Sequence, residues 1–408
     1  MSSSSTFVIV GAGMAGALTA QALRDEGFEG RVLLVGNEAD RPYERPPLSK
    51  DYLMGKAERE SVFVHPEGWY AENDVELRTR TNVTSIDAGQ HEVRIEDGER
   101  VTYDALALAT GAEPRRLKIA GADLNGVHYL RRIGDSEALR NAFSQASRVA
   151  VIGGGWIGLE TAAAARAAGV DVTLLERDSL PLQQILGTEI AQVFASLHHD
   201  NGVDVRVNVT VDALEGESGQ VTGVRLSNGD VVAADLVIVG VGVVPKIDLA
   251  EQAGLSLDNG VLVDESLRTS DPSIVAVGDI ANAYHPLLKR RIRVEHWANA
   301  RRQPPVAAQT MLGKTSVYDR VPYFFTDQYT LGMEYSGFVG PGEYDEVVVR
   351  GNLDTMEFVA FWVKEGRVLA GMNVNIWDVN PDIDRLIVSG RQVDRASLQD
   401  ASVPISAL

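Results

Sequence analysis

The chain has 408 residues, of which 45% are hydrophobic and 23% charged, an ordinary globular composition with room for two or three domains. A formal net charge of −19 argues against nucleic acid as a general partner, because phosphate binding needs clustered Lys and Arg. The sequence contains no cysteine, which excludes disulfides, cysteinyl iron–sulfur ligation and thiol nucleophiles together, so any redox centre has to be a bound organic cofactor.

The N-terminal stretch is serine-rich, without a basic region or a following apolar segment, and it does not resemble a signal peptide. Residues 1–6 are expected to form a short disordered tail. The longest apolar stretches, such as Leu236–Val244, are far shorter than the roughly 20 residues of a membrane-spanning helix. These features predict a soluble cytoplasmic protein with no membrane partner.

The first glycine motif lies between two apolar runs. Phe7–Val10 leads directly into Gly-Ala-Gly-Met-Ala-Gly, whose glycines are Gly11, Gly13 and Gly16, and a second apolar run ends shortly before Glu38. In such a motif the first glycine permits a tight turn, the second lets the backbone approach a pyrophosphate, and the third lets helix and strand pack closely. The free N–H groups of the helix then meet the phosphates. The pattern predicts a strand–helix–strand nucleotide-binding unit.

The same pattern recurs from Arg148, with Gly153, Gly155 and Gly158 before an alanine-rich helix and a further apolar run to Glu176. One such motif is weak evidence, because a glycine-rich turn has the same letters. Two copies, each between strand and helix patterns, predict two nucleotide-binding units.

If the second unit binds a nicotinamide dinucleotide, Glu176 and Arg177 bear on the choice between NADH and NADPH. Glu176 follows the first glycine of its motif by about 20 residues, where a carboxylate accepts a hydrogen bond from a ribose 2′-OH. A 2′-phosphate would be repelled there, so the sequence favours NADH. Arg177 leaves NADPH open, because an arginine can accommodate that phosphate.

Two further segments fit a flavoprotein better than a plain dehydrogenase. Residues 103–111 form an apolar strand pattern ending in Ala-Thr-Gly, and residues 273–279 form another ending in Gly-Asp. A carboxylate at the end of such a strand, here Asp279, is well placed to bind a polyol such as ribityl. A helix N-cap is the alternative role for this residue.

From about Val321 the pattern changes to short alternating strands, expected at residues 346–350, 356–363 and 367–373, with glycine-containing turns between them. This part predicts a small antiparallel sheet. The chain as a whole predicts the α/β class, with two Rossmann-like nucleotide-binding domains and a small α+β C-terminal domain.

At this point the sequence resembles a known family along nearly its whole length. It is similar to the glutathione-reductase-like flavoproteins and, within them, to the ferredoxin reductases that serve bacterial oxygenases; apoptosis-inducing factor is a more distant relative. The motifs that carry the resemblance are, in order, Gly36-Asn37-Glu38, Arg45-Pro46-Pro47-Leu48-Ser49-Lys50, Ala109-Thr110-Gly111, residues 153–160, Gly278-Asp279, Glu295-His296-Trp297 and Asp327-Gln328-Tyr329.

The resemblance implies that FAD lies on the first nucleotide-binding unit and NAD on the second. The FAD-binding domain is then discontinuous, over residues 1–112 and 245–320. The NAD-binding domain covers residues 113–244 and the C-terminal domain residues 321–408.

The resemblance also implies a catalytic pair, Lys50 and Glu160, beside the nicotinamide. A cation at the edge of the flavin favours the anionic reduced ring, and the carboxylate can orient the carboxamide. Without its motif, Lys50 would be taken for a solvated surface lysine.

Other residues are implied to line the FAD cleft. Glu38 lies near the adenosine ribose, Asp279 on the ribityl chain, and Thr110 and Val83 along the cleft. The complete set of expected cofactor-binding residues is Gly11, Gly13, Ala15, Gly16, Glu38, Arg45, Lys50, Val83, Thr110, Gly111, Arg131, Gly153, Gly155, Ile157, Gly158, Glu160, Glu176, Gly242, Gly278, Asp279 and Trp297.

Two segments depart from the family pattern. The reductases often have Phe-Trp-Ser before Asp-Gln, and this chain has Phe324-Phe325-Thr326, with a smaller ring beside the flavin. Residues 301–305 read Arg-Arg-Gln-Pro-Pro, and the two prolines are expected to keep Gln303 and Pro304 out of helical geometry unless a helix begins there.

The implied activity is hydride transfer from NADH to FAD, followed by single-electron transfer to a ferredoxin that serves an oxygenase or P450. Without cysteine the chain cannot relay electrons through its own disulfide. Basic residues at 289–293, with Arg301 and Arg302, either attract an acidic ferredoxin or form an ordinary solvated loop. If they attract it, charge reversal at Arg291 and Arg293 slows ferredoxin reduction.

Three other functions stay open on the sequence. An NADH oxidase or quinone reductase needs no protein partner, a nucleotide-sensing flavoprotein holds NADH in a long-lived complex, and a dehydrogenase lacks flavin. No metal site is indicated: the adjacent His198 and His199 point to different sides of a predicted helix. A monomer and a homodimer are equally consistent with the sequence.

Overall fold

Each glycine motif connects a buried strand to a helix in the computed structural model, which describes residues 5–408. The chain packs into two units. Unit 1 contains the chain up to Glu44, with Arg59–Glu113 and Val244–Pro322, and unit 2 contains Arg45–Glu58, Pro114–Val243 and Tyr323–Leu408. The three domain boundaries expected from the sequence stay a prediction.

The strands are β1 (Thr6–Val10), β2 (Arg31–Val35), β3 (Val75–Arg78), β4 (Val83–Asp87), β5 (Glu92–Ile95), β6 (Arg100–Thr102), β7 (Ala105–Leu108), β8 (Ala112–Pro114), β9 (Val127–His128), β10 (Arg148–Ile152), β11 (Asp171–Leu175), β12 (Val203–Arg206), β13 (Val211–Glu217), β14 (Gln220–Leu226), β15 (Val231–Ala233), β16 (Leu236–Val239), β17 (Val243–Pro245), β18 (Val261–Val263), β19 (Ile274–Ala276), β20 (Ala281–His285), β21 (Arg290–Ile292), β22 (Tyr323–Gln328), β23 (Leu331–Gly337), β24 (Glu346–Asn352), β25 (Glu357–Lys364) and β26 (Arg367–Val374). The α-helices are α1 (Met14–Asp25), α2 (Trp69–Glu72), α3 (Ile133–Phe143), α4 (Trp156–Ala167), α5 (Gln183–Leu186), α6 (Thr188–Asp200), α7 (Asp248–Gln252), α8 (Trp297–Met311), α9 (Asn380–Ser389) and α10 (Arg395–Gln399). Short 3-10 helices cover Pro46–Ser49, Arg59–Val62, Gly278–Ile280 and Ile405–Ala407.

Unit 1 is built on a parallel sheet in the order β19-β7-β1-β2-β3. Val8 pairs with Leu33 on one side and with Leu106 on the other. Strands β1, β2 and β7 are apolar without alternation because a parallel sheet is covered on both faces. Helices α1 and α8 pack against each other in this unit. A smaller antiparallel sheet, β4-β5-β6, carries Val83.

Unit 2 contains a second parallel sheet, in the order β12-β11-β10-β16-β9. Ala150 of its central strand pairs with Thr173 and with Val237. The C-terminal part adds an antiparallel sheet in the order β22-β23-β26-β25-β24, with α9 packed on β23 and β26. Its core includes the fully buried Trp362. The predicted α/β fold class, with two Rossmann-like parts and a C-terminal antiparallel sheet, is confirmed.

The two glycines that begin the motifs adopt left-handed backbone conformations, with φ of +114° at Gly11 and +102° at Gly153. A Cβ on Gly11 would lie 2.2 Å from the carbonyl oxygen of Ala109, and one on Gly153 would lie 2.5 Å from that of Gly240. A side chain at either position would be strained and would collide with the neighbouring strand end, so glycine is required.

Two expectations about local structure are wrong. Thr6 belongs to β1 rather than to a disordered tail, because it pairs with Arg31; residues 1–4 of that expected tail lie outside the described residues. The prolines at 304 and 305 do not interrupt α8, which begins at Trp297 and continues to Met311. Each proline inside a helix costs about 3 kcal/mol, and the packing of α8 on α1 offsets that cost.

Candidate functional site

The first glycine motif places an open helix end beside the unit 1 sheet. Gly13 is the N-cap of α1, and among the described residues no heavy atom outside positions 12–14 lies within 4 Å of the position that its Cβ would take. Gly16 packs so closely that a Cβ would lie 2.0 Å from the carbonyl oxygen of Gly11. Ala15 is buried, and its Cβ would lie 3.2 Å from one on Gly278, so the structure brings these two expected residues together.

The ends of the neighbouring strands in unit 1 carry other expected residues. Thr110 donates its hydroxyl to the carbonyl of Lys246 at 2.9 Å, and the N–H of Lys246 donates to the carbonyl of Gly111 at 2.9 Å. Glu38 follows β2 and accepts a hydrogen bond from the hydroxyl of Tyr43. Val83 is half-buried on β4 and pairs with Ile95, in a different sheet from these residues.

A second cluster in unit 1 surrounds Asp279 and Trp297. Gly278 donates its N–H to the side-chain oxygen of Gln303 at 2.7 Å, which fixes the turn that presents Asp279. The indole N–H of Trp297 donates to Glu44 at 2.9 Å. Burial lowers the pKa of His296 to about 4, against the opposing charge of Asp279, so this imidazole is neutral.

The second glycine motif repeats this geometry in unit 2. Gly155 is the N-cap of α4, and in the described part of the chain no heavy atom outside positions 154–156 lies within 4 Å of its Cβ position. A Cβ on Gly158 would lie 1.9 Å from the carbonyl oxygen of Gly153, so only glycine permits this close packing. Ile157 is 42% exposed beside the open end of the helix.

Glu176 is held against the second motif. Its carboxylate accepts from the N–H of Gly154 at 2.5 Å and from the N–H of Asp178 at 2.8 Å. These bonds orient the carboxylate and leave it lone pairs for a ribose hydroxyl. The side chain of the neighbouring Arg177 is 81% exposed, and Gly242 adopts φ of +92° at the end of the unit's central strands.

Lys50 and Glu160 form a buried ion pair in unit 2. Lys50 Nζ lies 2.5 Å from Glu160 Oε1, with the two side chains 11% and 4% exposed. Ser49 donates to the other carboxylate oxygen at 2.5 Å. Lys50 is therefore not the solvated surface lysine that its residue type alone suggests. The same segment anchors Arg45, whose guanidinium donates to the carbonyl of Arg131.

Buried side chains that were not among the expected site residues surround Glu160. Thr326 donates its hydroxyl to Glu160 Oε1 at 2.6 Å. Gln328 donates its amide to Thr326 at 3.2 Å, and its carbonyl oxygen lies 2.8 Å from Nε2 of His198. The signal in the sequence was the polar alternation of Thr326 and Gln328 on one strand face. The neighbouring Phe325 ring lies 5.5 Å from Lys50 Nζ.

Two of the basic residues at 289–293, Arg291 and Arg293, make hydrogen bonds or ion pairs within unit 1. Arg291 donates to the carbonyl of Val263 at 2.7 Å. Arg293, with a side chain 9% exposed, pairs with Glu295 at 2.6 Å and donates to the carbonyl of Asp279. Lys289 is exposed. Charge reversal at Arg291 or Arg293 would therefore disturb the fold as well as any docking surface.

Residues 5–408 contain neither a cluster of metal-ligating side chains nor a membrane-spanning helix. Within that range, no group of three or more His, Cys, Asp or Glu side chains is arranged to hold a metal ion. No helix in the same range is both long and apolar enough to cross a membrane.

Two known protein families match nearly the whole chain. The family described as pyridine nucleotide-disulphide oxidoreductase matches residues 5–304, and the family described as reductase C-terminal matches residues 323–408. This chain belongs to the pyridine nucleotide-disulphide oxidoreductase family. The disulphide of the family's name has no counterpart here, since the sequence contains no cysteine.

Its relatives are electron-transfer reductases. The putidaredoxin reductase of Pseudomonas putida is 38% identical over 414 residues, with 100% of this chain and 97% of the relative covered. The ferredoxin–NAD(+) reductase component of the anthranilate 1,2-dioxygenase system of Burkholderia cepacia is 37% identical, with 98% of both chains covered. The covalent putidaredoxin reductase–putidaredoxin complex contains a chain of the same fold, with a TM-score of 0.94 and 37% identity, covering 99% of this chain and 98% of that chain.

The expected oxidoreductase class and the cofactors FAD and NAD are confirmed by this family membership. The residues present fit both cofactors. Gly13 and Gly155 are the N-caps of α1 and α4, and both have open space around them. Within the described chain, neither helix has a side-chain hydrogen bond at its N-cap or an acidic residue in its first turn. Uncapped N–H groups and the positive end of a helix suit a pyrophosphate.

Proposed function

We propose that this chain is an NADH-dependent, FAD-containing ferredoxin reductase. The observation that carries the proposal is the buried Lys50–Glu160 ion pair, in which Glu160 lies on α4 just after the second glycine motif. Desolvating an ion pair is costly, and a charged pair held beside a nucleotide-binding helix is well suited to a redox ligand. The expected cofactor-binding residues belong to the same proposal.

The flavin supplies the chemistry when bound, since it accepts a hydride from NADH and releases electrons singly. The residues supply position and charge. Lys50 presents a fixed cation, and Glu160 presents a carboxylate that already accepts from Ser49 and Thr326. We infer that this carboxylate orients the nicotinamide carboxamide while Lys50 balances negative charge on the reduced cofactor.

NADH is the proposed donor. Glu176 is held in one orientation by two backbone N–H groups, and a carboxylate fixed there accepts from a ribose 2′-OH and repels a 2′-phosphate. Arg177 extends into solvent, with 81% of its side chain exposed. The preference for NADH over NADPH therefore rests on the oriented carboxylate of Glu176.

The proposed acceptor is a small ferredoxin serving an oxygenase or P450. Support comes from the relatives, which include putidaredoxin reductase and a reductase component of an anthranilate dioxygenase system. A cytoplasmic location is part of the proposal, because a chain that oxidises NADH needs the cell's nicotinamide pool, and cell fractionation tests it. A monomer and a homodimer both fit, and sedimentation distinguishes them.

The deciding experiment is anaerobic stopped-flow reduction of the yellow protein by NADH and by NADPH. The reduced protein is then mixed with an oxidised [2Fe–2S] ferredoxin or with air. Rapid bleaching by NADH, followed by faster reoxidation with ferredoxin than with air, is expected. Fast reoxidation by air or quinone alone would instead indicate an oxidase or quinone reductase. A persistent long-wavelength band with no response to ferredoxin would indicate a nucleotide-sensing flavoprotein.

A further inference from the structure

We propose that His198, Gln328 and Thr326 form a directed hydrogen-bond chain that positions Glu160 for nicotinamide binding. The inference rests on the proposed function, because it assigns positioning residues to the same nucleotide site. All three side chains belong to unit 2 and come from α6 and β22, whereas Glu160 lies on α4.

The chain runs through buried atoms from the imidazole to the carboxylate. His198 Nε2 lies 2.8 Å from Gln328 Oε1, Gln328 Nε2 lies 3.2 Å from Thr326 Oγ1, and Thr326 Oγ1 lies 2.6 Å from Glu160 Oε1. Thr326 and Gln328 are each 1% exposed, and His198 is 0% exposed. Solvent therefore has no access through which to replace these bonds.

The direction of every bond follows from the carboxylate. Glu160 accepts from the hydroxyl of Thr326, so that oxygen uses its lone pair for the amide N–H of Gln328. The carbonyl of Gln328 is then turned towards His198 and needs an N–H donor, which is Nε2–H. Nδ1 is left as an acceptor, and the hydroxyl of Tyr329 lies 3.4 Å from it.

This arrangement requires a proton on Nε2 of His198. Burial lowers the pKa of His198, so the ring is neutral at pH 7 and its single proton has to lie on Nε2. Each donor in turn strengthens the next bond, and a fully satisfied buried network holds its members in one geometry. The terminal member is Glu160, so the network fixes the carboxylate oxygen that also receives Lys50.

A network that only filled buried hydrogen-bond needs would stabilise the fold without affecting the ligand. A positioning role and a purely structural role are distinguished by measuring the affinity for NAD⁺. Thr326→Val keeps the shape of the side chain and removes the hydroxyl, whereas Thr326→Ser keeps the hydroxyl. His198→Asn shortens the network at its far end, and His199→Asn is its matched control, because the side chain of His199 is 79% exposed on the same helix.

The test uses the FAD-loaded protein and begins with the dissociation constant for NAD⁺, obtained by titration calorimetry, with bound FAD and the visible spectrum confirming the fold. We expect Thr326→Val to weaken NAD⁺ binding about tenfold, His198→Asn about threefold, and Thr326→Ser and His199→Asn less than twofold. Affinity in Thr326→Val within twofold of the wild type would overturn the positioning role.

A second measurement needs no variant at the site to fold. Histidine ¹⁵N chemical shifts of the wild-type protein report the tautomer of each ring, and correlations from the assigned backbone identify the His198 signal without a variant. A neutral Nε2–H ring at pH 7 is expected. An Nδ1–H tautomer, which leaves Nε2 without a proton to donate to Gln328, would overturn the chain even if the protein reduces ferredoxin. Failure of the wild type to bind NAD⁺ or reduce ferredoxin would reject the proposed function, while the tautomer still tests the chain.

Discussion

Lys50 Nζ lies 2.5 Å from Glu160 Oε1, although 110 positions of sequence separate the two residues. Breaking a buried ion pair by removing one partner leaves the other charge uncompensated. The carboxylate of Glu160 keeps its bonds from Ser49 and Thr326, which moderates the loss.

Replacement of Lys50 by methionine is therefore expected to lower the free energy of unfolding by about 3 kcal/mol. The same change is expected to slow flavin reduction by NADH at least roughly tenfold, because a fixed cation is lost. Urea denaturation and stopped-flow reduction measure the two effects. Lys56→Met is the matched control, since Lys56 is exposed in the same segment, and an equal effect of both variants would contradict the role of the pair.

Glu176 is expected to determine the choice between NADH and NADPH. Glu176→Gln keeps an acceptor for the N–H of Gly154 but removes the negative charge that repels a 2′-phosphate. The ratio of kcat/KM for NADH to that for NADPH should fall about tenfold, as steady-state kinetics with both cofactors will show. Arg177→Ala should change this ratio less than twofold. A large effect of Arg177→Ala would show that this arginine binds the phosphate.

Alanine substitutions at two glycines of the second motif should have different effects, one on NAD⁺ binding and the other on stability. A Cβ on Gly155 would enter open space, whereas a Cβ on Gly158 would lie 1.9 Å from the carbonyl oxygen of Gly153. We expect Gly155→Ala to weaken NAD⁺ binding with little change in Tm, and Gly158→Ala to lower Tm clearly. Calorimetric titration and thermal denaturation test this pair. Equal NAD⁺ affinity of Gly155→Ala and the wild type would argue against a phosphate at this helix end.

His198 is expected to make stability depend on pH. Because burial lowers its pKa in the folded protein, the unfolded chain binds this proton at a higher pH than the native chain. The free energy of unfolding therefore falls as the pH falls below about 6.5, the usual histidine value.

Urea denaturation between pH 7.5 and 5.5 measures this dependence. The loss of stability across that range should be smaller in His198→Asn than in the wild type. His199→Asn should keep the wild-type dependence, because its side chain is exposed. Parallel curves for the wild type and His198→Asn would exclude His198 as the source.

Ferredoxin docking is expected to respond to Lys289 rather than to Arg293. Lys289 is exposed, whereas the side chain of Arg293 is 9% exposed and paired with Glu295. Lys289→Glu should slow ferredoxin reduction at low salt, with a smaller effect at high salt, and should leave reduction by NADH unchanged. Lys118→Glu, at another exposed lysine, is the control. Equal ferredoxin rates in the two variants would place the docking surface elsewhere.

The sequence by itself determined the parts of this protein that depend on short stretches of chain. Gly11 and Gly153 mark turns between a buried strand and a helix, and the apolar runs around them form parallel strands as predicted. These patterns are readable because strand period, helix period and the need for glycine at positive φ act over a few residues. The absence of cysteine likewise excluded a disulfide relay without any coordinates.

Only the tertiary structure decided which distant side chains meet. Thr326 reaches Glu160 across 166 positions, and His198 reaches Gln328 across 130, so no local pattern reports either contact. The backbone at Pro304 and Pro305 was likewise decided by tertiary structure. Local propensity argued against a helix there, but packing against α1 outweighs a cost of about 3 kcal/mol for each proline, and that packing depends on the whole fold.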